Sequence, residues 1–204
     1  YRLAVNFHEP IKPTGLHRTY PHLMAGEGAR GQEYNAWSEG NPPEHTVILP
    51  FTRLLGGPMD FTPGIFAIEG TRVHTTLAKQ LALYVTVFSP IQMLADLPEN
   101  YVGHPAFKFL EDVPVNWETT KVIDAQIGDY YTVVRKDRDS EDWYLGSITD
   151  ENAREFTIDL NFLSADQKYL AEIYADGADA EYDANPEAYQ ILTKEVDATM
   201  QLQI

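Results

Sequence analysis

A histidine and three glutamates, His8, Glu9, Glu27 and Glu33, fall within residues 7–34, FHEPIKPTGLHRTYPHLMAGEGARGQEY, among Gly15, Gly26, Gly28, Gly31 and three prolines. The stretch reads as neither helix nor strand. Glutamate is seldom buried without a partner, so ordinary surface carboxylates are one reading. Their positions support another. Glu9 falls where an apolar run gives way to loop, which in a parallel barrel is the face that carries active sites. Glu27 and Glu33 lie on glycine-rich backbone that can bend close to a ligand. Converging carboxylates repel one another and need a cation or a proton to coexist. With no cysteine and few histidines, oxygen donors favour a hard ion such as calcium. The chemistry suggested is a metal-assisted carboxylate site.

Other motifs carry less. Residues 26–31, GEGARG, fit G-x-G-x-x-G, but no good strand is expected before them and Glu27 would face a pyrophosphate with like charge. His8-Glu9 opens like a zincin helix, yet Lys12 stands where the second histidine is needed and Pro10 would break the helix. His17 and His22 read as ordinary hydrogen-bonding residues. The acidic run from Asp176 to Glu187 lacks calcium-loop spacing and reads as a solvated loop. Trp143, Tyr144 and Tyr174 could stack on sugars, but aromatic residues on strands more often serve packing.

The elements that must hold these residues divide the chain in two near EDVPVNW, residues 111–117. In the first half, RLAVNF and HTVILPF are short apolar runs of the kind buried on both faces of a parallel sheet. Val73, Leu77, Leu81, Tyr84, Val85 and Phe88 recur at helical spacing, predicting a helix over about 72–88 that Pro90 ends. A shorter helix is expected after Pro105, with Phe107 and Leu110 inward. The second half alternates with period two, at 156–162 and from Val196 to Ile204, and further strands are expected at about 119–127, 130–136, 142–148 and 168–174. That number of short strands suggests a small β-sandwich. Two or three parallel strands alone would leave sheet edges unpaired, as in the back end of a barrel.

Composition bounds the function. Of 204 residues, 44% are hydrophobic, ample for a core. Thirty-one acidic against 15 basic side chains give a formal charge of −16, unfavourable for contact with nucleic-acid phosphates or an anionic membrane. Neutral ligands or cations suit it better. The absence of cysteine excludes disulfides and thiolate metal sites. No run of 18 apolar residues or charged-then-apolar leader occurs, and the start at Tyr1 inside an apolar run suggests a chain cut from a longer polypeptide.

Three segments carry a resemblance: HEPIKPTGLHRTYPHLMAGEGARGQEYNAW, PPEHTVILPFTRLLGGPMDFTPGIF and LAKQLALYVTVFSPIQMLADLPENY. Together they resemble glycoside hydrolase family 97, which includes a periplasmic α-glucosidase of bacterial starch utilisation. The likeness runs through residues 6–101 and continues more loosely to the end. It implies an α/β plus all-β chain, with residues 1–112 the carboxy-terminal part of a catalytic (β/α)8 TIM barrel and 113–204 an antiparallel β-sandwich. It also implies that Glu9 is a calcium ligand and catalytic base, Glu27 a calcium ligand, Glu33 the general acid and a calcium contact, and His8 a sugar contact. An inverting glycosidase needs one carboxyl to protonate the leaving oxygen and another to activate water from the opposite face. Retaining members of the family carry glycine at position 9, so Glu9 favours the inverting branch. The expectation is therefore a calcium-dependent, exo-acting α-glucosidase acting on maltooligosaccharides, periplasmic or secreted, with the rest of the parent polypeptide as partner. The rival readings are a retaining α-galactosidase of the same family and a non-catalytic carbohydrate-binding or structural piece. The 204 residues alone are expected to be inactive.

Overall fold

The computed structural model describes residues 3–204. The first two residues of the RLAVNF run's neighbourhood, Tyr1 and Arg2, lie outside them. Strand β1 (Val5–Phe7) pairs in parallel with β2 (Leu23–Gly26), and Gly26 makes a further parallel bridge to Met59. Helix α1 (Leu16–Thr19) connects the two strands. Backbone bonds extend this parallel row: Glu27 N donates to Phe7 O at 3.0 Å, Asp60 N to Gly26 O at 3.2 Å, and Met59 N to Phe88 O at 3.1 Å. Among the described residues β1 has a hydrogen-bonded strand on one side only and no closed barrel is present.

Two short helices follow, α2 (Tyr34–Trp37) and α3 (His45–Ile48), the second running into 3-10 turns at Leu49–Phe51 and Arg53–Gly56. The HTVILPF run is thus helical and not a strand. Its burial was legible, with Val47 and Leu49 at 2% exposure or less, but a short apolar run does not distinguish a strand from a helical turn. The longest helix, α4 (Leu77–Thr86), starts later than its apolar spacing predicts. Thr76 caps it by accepting a bond from Lys79 N at 3.2 Å, which leaves Val73 outside the helix. Leu77, Leu81, Tyr84 and Val85 are buried as the periodicity requires. Helices α5 (Pro98–Tyr101) and α6 (Phe107–Asp112) complete this half, with Phe107 and Leu110 packed against the core around Phe66, Leu77 and Leu81.

The second half is antiparallel throughout. Strands β3 (Trp117–Gln126), β4 (Tyr130–Asp137) and β5 (Trp143–Thr149) form one sheet, β6 (Thr157–Asp159) pairs with β9 (Gln201–Gln203), and β7 (Lys168–Asp176) pairs with β8 (Tyr189–Asp197). Ile123, Trp143 and Leu145 from the first sheet meet Ile158, Tyr169, Val196 and Leu202 from the other two pairs over a common apolar core, a sandwich-like arrangement. The single strand expected over 196–204 is broken: Asp197 Oδ1 accepts from the Thr199 amide and hydroxyl, and this side-chain-to-backbone turn separates β8 from β9. Residues 189–195, for which no strand was expected, are the body of β8.

The halves share a core. Val47, Met59, Leu83 and Val85 pack with Tyr131, Val133 and Ile148. At the crossing of α4 over β5, a Cβ on Gly146 would lie 2.8 Å from Val85 Cβ and 3.1 Å from Ala82 O, so only glycine lets the helix settle on the strand. The acidic loop also docks and is not wholly solvated: Pro186 O accepts from Leu77 N at 2.8 Å, and Glu187 reaches back to the first half. Glu187 is the last of three clamps on a strap of six successive amides. Gln80 Oε1 takes Gly64 and Ile65, Asp96 Oδ2 takes Phe66 and Ala67, and Glu187 Oε1 takes Ile68 and Glu69, at 2.7–3.2 Å.

Candidate active site

The parallel row sets out its side chains in order. His8 follows β1, Glu27 follows β2 and Asp60 follows Met59, so each is the first residue past the carboxy-terminal end of its extended segment. In parallel α/β architecture that edge is where functional groups gather. A nitrogen of His8 and one oxygen each of Glu27 and Glu33 lie within 4.8 Å of one another, a grouping able to hold a metal ion.

His8 is the hub. Its Nδ1 lies 3.0 Å from Glu33 Oε2 and 4.0 Å from Glu27 Oε2, and its Nε2 lies 2.9 Å from Asp60 Oδ2. Burial alone would lower its pKa, but the hydrogen bonds with Asp60 and Glu33 and the charges of Asp60 and Glu27 outweigh it and raise it above 6.5. Asp60, 1% exposed, also accepts from Asn6 Nδ2 at 2.5 Å and Thr62 Oγ1 at 2.8 Å. Its burial would push its pKa up, and those three donors hold it below the usual carboxylate value instead. Sequence reasoning did not single out Asp60 or Asn6. The signal was the position of Asp60 directly after Met59, hidden because that residue was not read as a strand neighbour.

Glu27 is the fixed carboxylate. Its side chain is 13% exposed, and its two oxygens accept from the Glu9 amide at 3.1 Å and the Gly31 amide at 3.2 Å. The glycines of GEGARG make room for it. A Cβ on Gly31 would stand 3.0 Å from Glu27 Oε1, and one on Gly28, where φ is +61°, would stand 2.8 Å from Arg53 Nε. The motif therefore serves a carboxylate and a guanidinium, with β2 immediately before it where no strand was expected. Arg53, 7% exposed, donates to Glu27 O at 2.9 Å, Gly26 O at 2.7 Å, Gly57 O at 3.0 Å and Pro58 O at 3.0 Å.

Glu33 differs from Glu27 in exposure. It precedes α2 with its side chain 57% exposed, held by His8 alone among the described hydrogen bonds. Glu9 joins the site through its backbone amide, and its side chain is not in the metal-binding grouping formed by His8, Glu27 and Glu33. Its φ of 53° is left-handed. Among the described residues only Glu9 and Thr62 combine a positive φ with a side chain, and both touch this site. Such backbone conformations cost about 1–3 kcal/mol each and gather where surroundings enforce them.

The donor set suits a hard cation. Both nitrogens of His8 are already engaged, so the ion's donors would be the carboxylates of Glu27 and Glu33, which retain free lone pairs. Of the other sequence readings, Trp143, Tyr144 and Tyr174 serve packing: they meet Phe162, Trp117 and Phe109 edge-on or tilted at 5.1–5.5 Å. His17 and His22 lie outside the site, His22 giving its carbonyl to Val5 N.

With this geometry established, comparison with known proteins places the chain. Residues 116–204 match the family model described as glycosyl-hydrolase 97 C-terminal, oligomerisation, and residues 1–29 match that of glycoside hydrolase 97. The chain belongs to glycoside hydrolase family 97. A retaining alpha-galactosidase of Bacteroides thetaiotaomicron is 37% identical over an alignment of 193 residues that covers 88% of this chain and 29% of that protein. A family 97 enzyme from Pseudoalteromonas sp. strain K8, solved with acarbose, is 50% identical with a TM-score of 0.94, and the E480Q form solved with panose is 49% identical with a TM-score of 0.94. Each match covers 98% of this chain and 32% of that one. The chain thus spans under a third of the length of these relatives.

Proposed function

We propose that this chain is the carboxy-terminal portion of a calcium-dependent, exo-acting α-glucosidase that releases glucose from maltooligosaccharides with inversion, its parallel row completing a (β/α)8 barrel with strands from the preceding polypeptide. The observation that carries the reading is the convergence of His8, Glu27 and Glu33 at the carboxy-terminal edge of parallel strands. Glu33 is the general acid: its exposed carboxyl, steadied by His8, meets the glycosidic oxygen and gives it a proton. Glu9 is the base, drawing a proton from the water that attacks the opposite face of the sugar. Glu27, tied to two amides, keeps its place while the others act. Calcium, when bound by Glu27, Glu33 and Glu9, would offset the repulsion among the carboxylates and polarise nearby oxygen atoms. The gluco-type substrate is supported by Glu9 and by the 49–50% identity to the enzyme solved with panose and acarbose.

A second reading, a retaining α-galactosidase, is favoured by the name of the Bacteroides relative. One experiment separates them. The longest natural polypeptide that encodes this chain is given maltotriose or an α-galactoside, and early product is followed by proton NMR. Release of β-glucose, abolished by Glu33→Gln in a folded protein, is expected. Wild-type turnover by Glu33→Gln would refute the acid, and galactose appearing first as the α-anomer would establish the second reading.

A further inference from the structure

We propose that Arg53 is the positioning residue of this site, fixing the Glu27 carboxylate through the main chain without touching substrate or ion; this rests on the reading of Glu27 as a ligand given above. The guanidinium lies beneath the site and bonds to two separate segments. On one side it holds the carbonyls of Gly26 and Glu27, on the other those of Gly57 and Pro58, three and two residues before Asp60. Gly26 O also accepts from the Asp60 amide, so the segments that end in Glu27 and Asp60 are locked to each other at one carbonyl and spanned by one planar cation. His8 sits between those two carboxylates, and its reach to both depends on their separation.

A purely structural role fits the chemistry poorly. Arg53 has no carboxylate partner among the described residues, and a buried cation satisfied only by carbonyls is a costly way to fill space that an apolar side chain could fill. What the guanidinium provides that methionine cannot is a rigid fork reaching both rows at once. Gly28 completes the case, since any side chain there would displace Nε. Metal ligands are commonly held by such outer contacts, whose loss costs roughly 10–100-fold in metal affinity.

The test uses Arg53→Lys in the longest natural polypeptide, beside Arg135→Lys. Arg135 is a comparably buried guanidinium that bonds Val85 O and Thr120 Oγ1 and none of the segments carrying Glu9, Glu27, Glu33 or Asp60, so it reports loss of stability alone. Calcium affinity by calorimetry should fall roughly 10–100-fold in Arg53→Lys and stay unchanged in Arg135→Lys. The loss should vanish when both proteins also carry Glu27→Gln. Hydrogen exchange of the Glu9 and Gly31 amides, which bond the Glu27 oxygens directly, should quicken in Arg53→Lys with no calcium present. Native affinity together with native exchange at those amides, or an equal loss in Arg135→Lys, overturns the proposal. A wild type that binds no calcium would overturn the metal reading only, and the two amides would still decide the role of Arg53. Should Arg53→Lys not fold, the Arg53 Nε–H resonance of the unmodified protein takes its place: a shift on calcium addition in step with the Glu9 amide is expected, and indifference to calcium overturns the proposal.

Discussion

His8 and Asp60 are 52 positions apart in the chain and 2.9 Å apart in space, and the distance between those two facts is the limit of what single residues disclose. Carboxylates on glycine-rich loop pointed to Glu27 and Glu33 because glycine and charge are local signals. Asp60 and Arg53 gave none, because their roles arise only when β1, β2 and Met59 lie side by side. Lys79 belongs with them as a charge whose meaning is tertiary. Its ammonium donates to Pro43 O and Thr149 O, joining the two halves. Burial pulls its pKa from 10.5 to about 8 against the attraction of Asp150, Asp176, Glu44 and Glu151. Between those values the unfolded chain keeps a proton that the folded one has shed. Its contribution to stability is therefore fully present above 10.5 and lost as pH falls through about 8. Denaturant unfolding from pH 8 to 10 should show stability climbing in the wild type and a flatter profile in Lys79→Met; parallel profiles would contradict the depressed ammonium.

Periodicity served the elements well where an element is long enough to repeat. The spacing of Leu77, Leu81 and Tyr84 marked α4, and the further strands expected at about 119–127, 130–136, 142–148 and 168–174 are β3, β4, β5 and β7, although β4 buries five successive residues and does not alternate. Periodicity failed for HTVILPF, whose seven residues fit either period, and at Asp197, where a side-chain turn interrupts an alternation that continues on both sides. Packing between elements is sharper than pattern. Gly146 lies in β5 with Val85 and Ala82 of α4 against it, so Gly146→Ala should lower the unfolding free energy by about 1–3 kcal/mol through overpacking. A urea midpoint equal to that of the wild type would mean that helix and strand do not meet there.

At the scale of the whole molecule, the amino-terminal half holds the candidate chemistry and the carboxy-terminal half holds the amino-terminal half. Beyond the shared core, part of that coupling runs through a loop carboxylate that reads as solvated, Glu187, and nothing local in the sequence announces it. Glu187→Ala should speed hydrogen exchange at the Ile68 and Glu69 amides while Phe66 and Ala67, held by Asp96, keep their protection. With the exposed Glu69 amide left to water and the Ile68 amide keeping only its bond to Phe66 O, it should also cost about 0.5–1.5 kcal/mol in stability. Unchanged exchange at Ile68 and Glu69 would break the link between the halves at that point. The strap from Gly64 to Glu69 takes these bonds from three side-chain oxygens instead of a neighbouring strand. Its exposed side chains, Ala67 and Glu69, are thereby open to variation, provided neither becomes proline, while Phe66 and Ile68 are held by the core and Gln80, Asp96 and Glu187 by the bonds they accept. Sequence drift along this segment would be read at three remote positions, and a homologue lacking one of them must anchor its backbone by other means.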